Sequence, residues 1–226
     1  MPLKLKQKKR PFKVYPNAIP PAIKSYVTKA IDNNNEDKMI NASLVTGFGA
    51  VSTTWTEVVT NAIAAGTESN QRTGRRIKLK SLHIDGVIAA GCSENVLDDP
   101  YNVVRMVIGL YTQGTTNTPL TTGLASLTAP INNIATCNGR LIKKYYDKFI
   151  PLEVTSTEKG DGDGYTPGLR RIKYYKHWKK GIIVEYNGTE SSAYNKLLVI
   201  SMLSDSAAAS SPGFVAGYWV LRYEDA

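Results

Sequence analysis

Histidine and cysteine are almost missing from this 226-residue chain, with two of each. The histidines, His83 and His177, stand far apart, each within a basic stretch. A metal-dependent jelly roll of the cupin kind needs several clustered imidazoles, so each histidine reads as a residue on a strand face. Cys92 and Cys137 lack metal-type spacing and are too few for a disulfide framework, which leaves two buried free thiols as the expectation. G-x-S-x-G, G-x-x-x-x-G-K-[ST], H-E-x-x-H and C-x-x-C are all absent. No catalytic residue, metal site or cofactor is therefore expected. Asp161-Gly-Asp163-Gly has the spacing that opens a calcium loop, but Tyr165 and Ile172 stand where further oxygen ligands belong, so it reads as a glycine-rich turn. The start is charged rather than apolar, and no run approaches the roughly 18 apolar residues that cross a bilayer. A soluble, intracellular chain without membrane insertion is expected, in which the sequons at Asn41 and Asn187 are chance matches.

Acidic residues are absent from the beginning of the chain. The first carboxylate is Asp32, whereas Lys4, Lys6, Lys8, Lys9, Arg10, Lys13, Lys24 and Lys29 precede it. These eight account for most of the formal charge of +9, because the remaining 20 basic and 19 acidic residues leave +1. Like charge concentrated beside few apolar groups repels itself and does not pack. Such an arm either holds an anionic partner, for which a nucleic-acid genome is the first candidate, or serves as a solvated or localisation tail. Lys8, Lys9 and Arg10, followed by Pro11, also form a candidate nuclear localisation signal. Pro11, Pro16, Pro20 and Pro21 keep the chain extended to about residue 21.

What the remainder has is Thr, Gly and Asn between short β-prone runs. Beyond the polar run Asp32–Lys38, strands are expected at about 51–63, 75–90, 101–112, 140–152, 170–179, 182–187, 195–204 and 214–224. In the third, Val104, Met106, Ile108 and Leu110 share one face and Arg105 lies opposite. The seventh, around Leu197–Leu203, is apolar on both faces and belongs at a sheet centre. In the second, Ile77 and Leu79 alternate with Arg76, Lys78 and Lys80, but Leu82 and Ile84 then fall on the basic face, which predicts a bulge near Ser81. Residues 113–136 and 158–168 read as long loops. Eight strands without long helices point to an all-β, antiparallel two-sheet sandwich or jelly roll.

Two basic clusters lie within these strands. One comprises Arg72, Arg75, Arg76, Lys78 and Lys80; the other comprises Arg170, Arg171, Lys173, Lys176, Lys179 and Lys180, interleaved with Tyr174, Tyr175 and Trp178. Cations beside aromatic rings suit a single nucleic-acid strand, neutralising phosphates while rings stack on bases. The alternative is a strand face whose cations pair with acids on neighbouring strands. Arg75, Arg76, Lys78, Lys80, Arg171 and Lys173 are the body residues expected to join the arm in binding.

The order of segments resembles a known family. Gly66-Thr-Glu-Ser-Asn-Gln-Arg-Thr-Gly-Arg-Arg-Ile, Lys144-Tyr-Tyr-Asp-Lys-Phe and the closing Arg222-Tyr-Glu-Asp-Ala are similar to motifs of the single-jelly-roll capsid proteins of circovirus-like (CRESS) circular single-stranded DNA viruses, and more distantly to satellite tobacco necrosis virus coat proteins. The resemblance covers the chain from about residue 66 onward. It implies an eight-stranded jelly roll with sheets B-I-D-G and C-H-E-F, spanning 36–226 as a shell domain, behind a disordered or extended arm over 1–35. It also implies self-assembly into a small icosahedral T=1 shell around single-stranded nucleic acid, DNA more than RNA, in virions assembled in the host nucleus. Nuclear import receptors and a host-cell receptor are the further partners. The arm is shorter and poorer in Arg than in many of these relatives, so body clusters would share genome contact. The rival readings are a cellular nucleic-acid-binding β-sandwich and a carbohydrate-binding or enzymatic jelly roll.

Overall fold

The computed structural model of the chain describes residues 20–34, 37–91, 101–111, 142–154, 168–206 and 211–225. The chain divides into two compact units, Met1–Glu36 and Asp37–Ala226. Of the first unit, the described part is helix α1, Pro21–Asn34. Pro21 suits the first helical position, where its missing N–H costs nothing, and the Lys24 N–H donates to the Pro20 carbonyl at 3.0 Å. Residues 21–34 of the arm expected over 1–35 are thus helical. The proline-rich stretch that argued against helix ends where this one begins, and the helix carries Ile23, Tyr26 and Val27 at helical spacing with all three exposed.

The second unit runs β1 (Asp37–Ser43), α2 (Leu44–Phe48), β2 (Thr56–Val59), β3 (Arg76–Ala89), β4 (Tyr101–Tyr111), β5 (Ile142–Glu153), β6 (Leu169–Glu185), β7 (Leu197–Ser204) and β8 (Gly213–Asp225). These strands make two antiparallel four-stranded sheets, ordered β1-β8-β3-β6 and β2-β7-β4-β5. Lettered B to I in chain order, they read B-I-D-G and C-H-E-F, which is the jelly roll. Between the sheets lies one apolar core containing Ile77, Leu79, Leu82, Ile84, Val104, Ile108, Ile200 and Leu221. Each such side chain contributes about 1.5–3 kcal/mol on burial.

Local sequence explains how the parts fit. The side chain of Ser43 caps α2 by accepting from the Val45 N–H at 3.2 Å, and the four-residue spacing of Leu44 and Phe48 buries both on one face. Leu44 has room because Gly86 and Gly217 face each other across β3 and β8. A Cβ on Gly86 would sit 2.8 Å from Leu44 Cδ1, and one on Gly217, whose φ is +137°, would sit 2.4 Å from the Gly86 Cα. The bulge expected near Ser81 is present: β3 shifts register between Leu79 and Ser81 against both its neighbours. Strand β7 is buried along its whole length and lies between β2 and β4, as its two-sided apolar run implies.

The strand count of eight agrees, but through two compensating differences. Strand β1 falls within and just after the polar run Asp32–Lys38 and was not expected; it is an edge strand whose only buried residue is Lys38. The stretches expected as separate strands at 170–179 and 182–187 are the single strand β6, which stays paired with β3 on both sides of a bulge. Consequently the segment at 51–63, first in the expected order, contains strand C rather than B. The long loops at 113–136 and 158–167, including Asp161 and Asp163, and both cysteines lie outside the described residues.

Candidate nucleic-acid interface

Strand alternation fixes which basic side chains meet. On the face of sheet B-I-D-G turned away from the core, β3 presents Arg76, Lys78, Ser81, His83 and Asp85, with Lys80 at the bulge, and β6 presents Arg171, Lys173, Tyr175 and His177 alongside. The two clusters read from sequence are therefore partly one surface. Register also supplies their counter-charges. Arg76 Nε lies 2.8 Å from Glu185 Oε1 on β6, while Lys78 and Lys80 both approach the Glu224 carboxylate on β8, Lys78 at 3.7 Å. Arg171 forks onto Asp85 through Nε at 2.9 Å and Nη2 at 2.8 Å, and Lys173 reaches the same carboxylate at 3.9 Å. The hydrogen bonds from Arg171 hold the Asp85 carboxyl below its usual range. Of the two alternatives left open for these cations, the geometry realises acid pairing at Arg76, Lys78, Lys80, Arg171 and Lys173. Arg75 is exposed just before β3.

The same face carries aromatic rings. His83 meets Tyr175 and Tyr218 edge-on, with centroids 6.3 Å and 5.9 Å away, making a row across β6, β3 and β8. Tyr175 is 66% exposed and Tyr218 47%, so both offer ring surface for stacking. Both histidines are strand-face residues, as expected.

Arg72 differs from the rest of its cluster. It is 1% exposed and, among the described residues, has no carboxylate in an ion pair with it. Its guanidinium instead donates to the carbonyls of Ile63 (3.2 Å), Gly74 (2.6 Å), Gly188 (3.0 Å) and Glu190 (2.5 Å), and its Cζ lies 4.2 Å from the centroid of the Tyr186 ring. It ties three loop segments together. Arg105, expected on the face of its strand opposite the apolar residues, is also buried. It forks onto Asp147 of β5 with two contacts of 2.9 Å and packs near Phe149 and Trp55. Burial works to raise the Asp147 carboxyl, but hydrogen bonds from Arg105 and Lys144 outweigh it and hold the group low.

Strand β5 adds cations that neither cluster contains. Lys143, Lys144 and Tyr145 lie beside the Lys176–Lys180 stretch of β6, at the open edge of the sandwich. The clue in the sequence is the basic and aromatic interleaving of Lys143-Lys-Tyr-Tyr146, the same pattern as in β6. The arm residues Lys4, Lys6, Lys8, Lys9, Arg10 and Lys13 lie outside the described residues. Among the described residues, no group of three or more His, Cys, Asp or Glu is arranged to hold a metal ion, and no helix is long and apolar enough to cross a membrane.

No protein-family model and no curated protein matches the chain. Among solved structures it is similar to one of Desmodium yellow mottle tymovirus, at 11% identity over 99% of this chain and 94% of that one, with a TM-score of 0.34. Others are the VP2 subviral particle of infectious bursal disease virus (8% identity, 84% of this chain and 33% of that one, TM-score 0.20) and VP1 of Trichodysplasia spinulosa-associated polyomavirus in complex with sialylated glycooligomers (9%, 86% and 96%, 0.20). The assignment of the jelly roll rests on strand order rather than on these likenesses.

Proposed function

We propose that this chain is a non-enzymatic viral coat protein. Copies of the jelly roll associate edge to edge into a small icosahedral shell, T=1 by the family resemblance, and the basic arm holds a single-stranded genome, DNA by the same resemblance. The observation that carries the reading is a contrast in charge pairing. Eight cations precede residue 30 with no acid among them, whereas on the sheet face Arg76, Lys78, Lys80, Arg171 and Lys173 share the carboxylates of Glu185, Glu224 and Asp85 on neighbouring strands. A cationic segment without internal counter-charge gains most from phosphates, whose condensed counterions it releases. Packaging of this kind tolerates any sequence, because phosphate contacts read none. Lys8, Lys9 and Arg10 would also direct nuclear import, which places assembly in the host nucleus and the mature protein in the virion.

With eight arm charges engaged, affinity for a single strand should fall with a log–log salt slope of roughly −6 per chain. Titration of a labelled oligonucleotide at several salt concentrations measures it. A slope near zero, or one unchanged by removal of residues 1–13, overturns the assignment of the arm. Electron microscopy of the purified protein tests assembly: uniform closed particles support the coat reading, and persistent monomers at near-neutral pH and moderate salt refute it.

A further inference from the structure

Strands β5 and β6 each lie at one edge of their respective sheets, and between these edges opens a cleft of about 520 Å³. Lys143 and Lys144 line it from β5, and Lys176, Lys179 and Lys180 from β6. Two features of β6 build this wall. Its register against β3 jumps from Leu79↔Ile182 to Ser81↔His177, so Trp178, Lys179, Lys180 and Gly181 together oppose the single residue Lys80. Gly181 permits the excursion with φ of +65°, where a Cβ would meet Lys78 Cγ at 2.4 Å. The bulge turns Trp178 inward, 9% exposed and edge-on to Tyr145 at 5.6 Å, while Lys179 and Lys180 remain exposed.

The charges of this cleft are not balanced from within. No acid lines it. The nearest carboxylate in an ion pair, Asp147, bonds Lys144 at 2.9 Å but is already gripped by both arms of the buried Arg105 fork. Among the described residues, Lys143, Lys176, Lys179 and Lys180 have no carboxylate within 4.0 Å, in contrast to Lys78, Lys80 and Lys173 on the sheet face. The Tyr145 ring lies between two of them, with Lys143 Nζ 5.7 Å and Lys176 Nζ 5.9 Å from its centroid. Such contacts contribute about 0.5–1 kcal/mol each, and they hold the ammonium groups at the cleft without neutralising them. Trp178 Nε1 adds a buried donor: it makes no well-formed hydrogen bond, although it lies near enough to the Tyr145 hydroxyl to offset part of the rise that burial imposes on that phenol.

From this geometry we infer that the β5–β6 edge is a second, arm-independent binding site for the phosphodiester backbone of single-stranded nucleic acid. The inference rests on the packaging role proposed above. Several compact point charges spaced along one open cleft match a run of phosphates rather than one small anion. With lysines held at the Tyr145 ring and Trp178 buried, the exposed ring at the cleft is the small imidazole of His177 beside five lysines, so its binding is dominated by phosphate and indifferent to sequence.

The test uses the full chain and a fluorescent oligothymidylate. Replacing Lys143, Lys179 and Lys180 together with Gln should leave the thermal midpoint unchanged, since these side chains are exposed, and should make the salt slope shallower by roughly 2, at about 0.7 per lost phosphate contact. A second variant, with Lys4, Lys6, Lys8, Lys9, Arg10, Lys13, Lys24 and Lys29 replaced by Gln, keeps the cleft intact and should retain a residual slope of roughly −2 to −3. The inference fails if the first variant keeps the parent slope or if the arm variant loses all salt-dependent binding. It also fails if the first variant keeps its oligonucleotide binding and loses affinity for a sulfated heparin oligosaccharide, because the cleft then serves a glycan. Failure of the arm reading looks different: the arm variant then binds as tightly as the parent chain.

Discussion

Replacing Arg72 with Met should destabilise the body by about 3–5 kcal/mol and leave its affinity for single-stranded nucleic acid untouched. The side chain is 1% exposed, so Met fills much of its volume but supplies none of its four hydrogen bonds. Charge-assisted bonds contribute about 1.5–3 kcal/mol each when measured singly. Not all four count in full, because Gly188 and Glu190 are exposed and water can reach their carbonyls once the guanidinium is gone, whereas Ile63 is buried. About two such bonds remain, together with the contact on Tyr186, whose hydroxyl is itself anchored to the Asn61 carbonyl at 2.9 Å. For a domain of this size the loss corresponds to a fall of roughly 6–20 °C in melting temperature. Urea unfolding and oligonucleotide titration of the same preparations form the assay. Arg72→Lys should recover only part of the loss, since an ammonium cannot span four carbonyls on three segments. If stability stays within about 0.5 kcal/mol of the parent, or if the salt slope falls by roughly one contact, Arg72 is a phosphate ligand and the structural assignment is wrong.

Asp147→Asn strands the buried Arg105 guanidinium and should cost about 3 kcal/mol in urea unfolding. The Asp147 and Asp225 carboxyls are both held below their ordinary value of 3.8 in the folded state, Asp225 by bonds from Thr73 and Lys38 that outweigh its burial. Their stabilisation is therefore complete above pH 3.8 and is lost as pH falls through the lower folded values, so the double variant D147N/D225N should show a flatter acid limb in a plot of stability against pH. Gly217→Ala forces a Cβ to within 2.4 Å of the Gly86 Cα at a φ of +137°, and calorimetry should find a loss of at least about 2 kcal/mol.

Much of the fold was legible because β-strands write their burial into the sequence with period two. The phase slip after Leu79 marked the bulge at Ser81, and the unbroken apolar run of β7 marked a strand covered on both faces. The same rule failed where burial did not follow hydrophobicity. Strand β1 is an edge strand whose buried residue is Lys38, held by Asp225 at 2.9 Å, so it looked like a polar connection. Gly181 looked like a turn between two strands because a glycine at positive φ marks a turn and a bulge alike. Arg105 followed its strand's alternation correctly but met a carboxylate and aromatic rings instead of water.

The candidate site divides along the same line. By itself the sequence determined the concentration of eight cations with no acid among them before residue 30, the near absence of histidine and cysteine, and the basic and aromatic alternation of β6, since each is a property of neighbours along the chain. Only tertiary structure decided which basic residues are balanced. Glu224 reaches Lys78 and Lys80, and Asp85 reaches Arg171, through strand register alone. Lys143 and Lys144 join Lys176, Lys179 and Lys180 because β5 and β6 end different sheets on the same side of the sandwich. Coulomb energy depends on distance through space, and a list of charges in chain order contains no such distances.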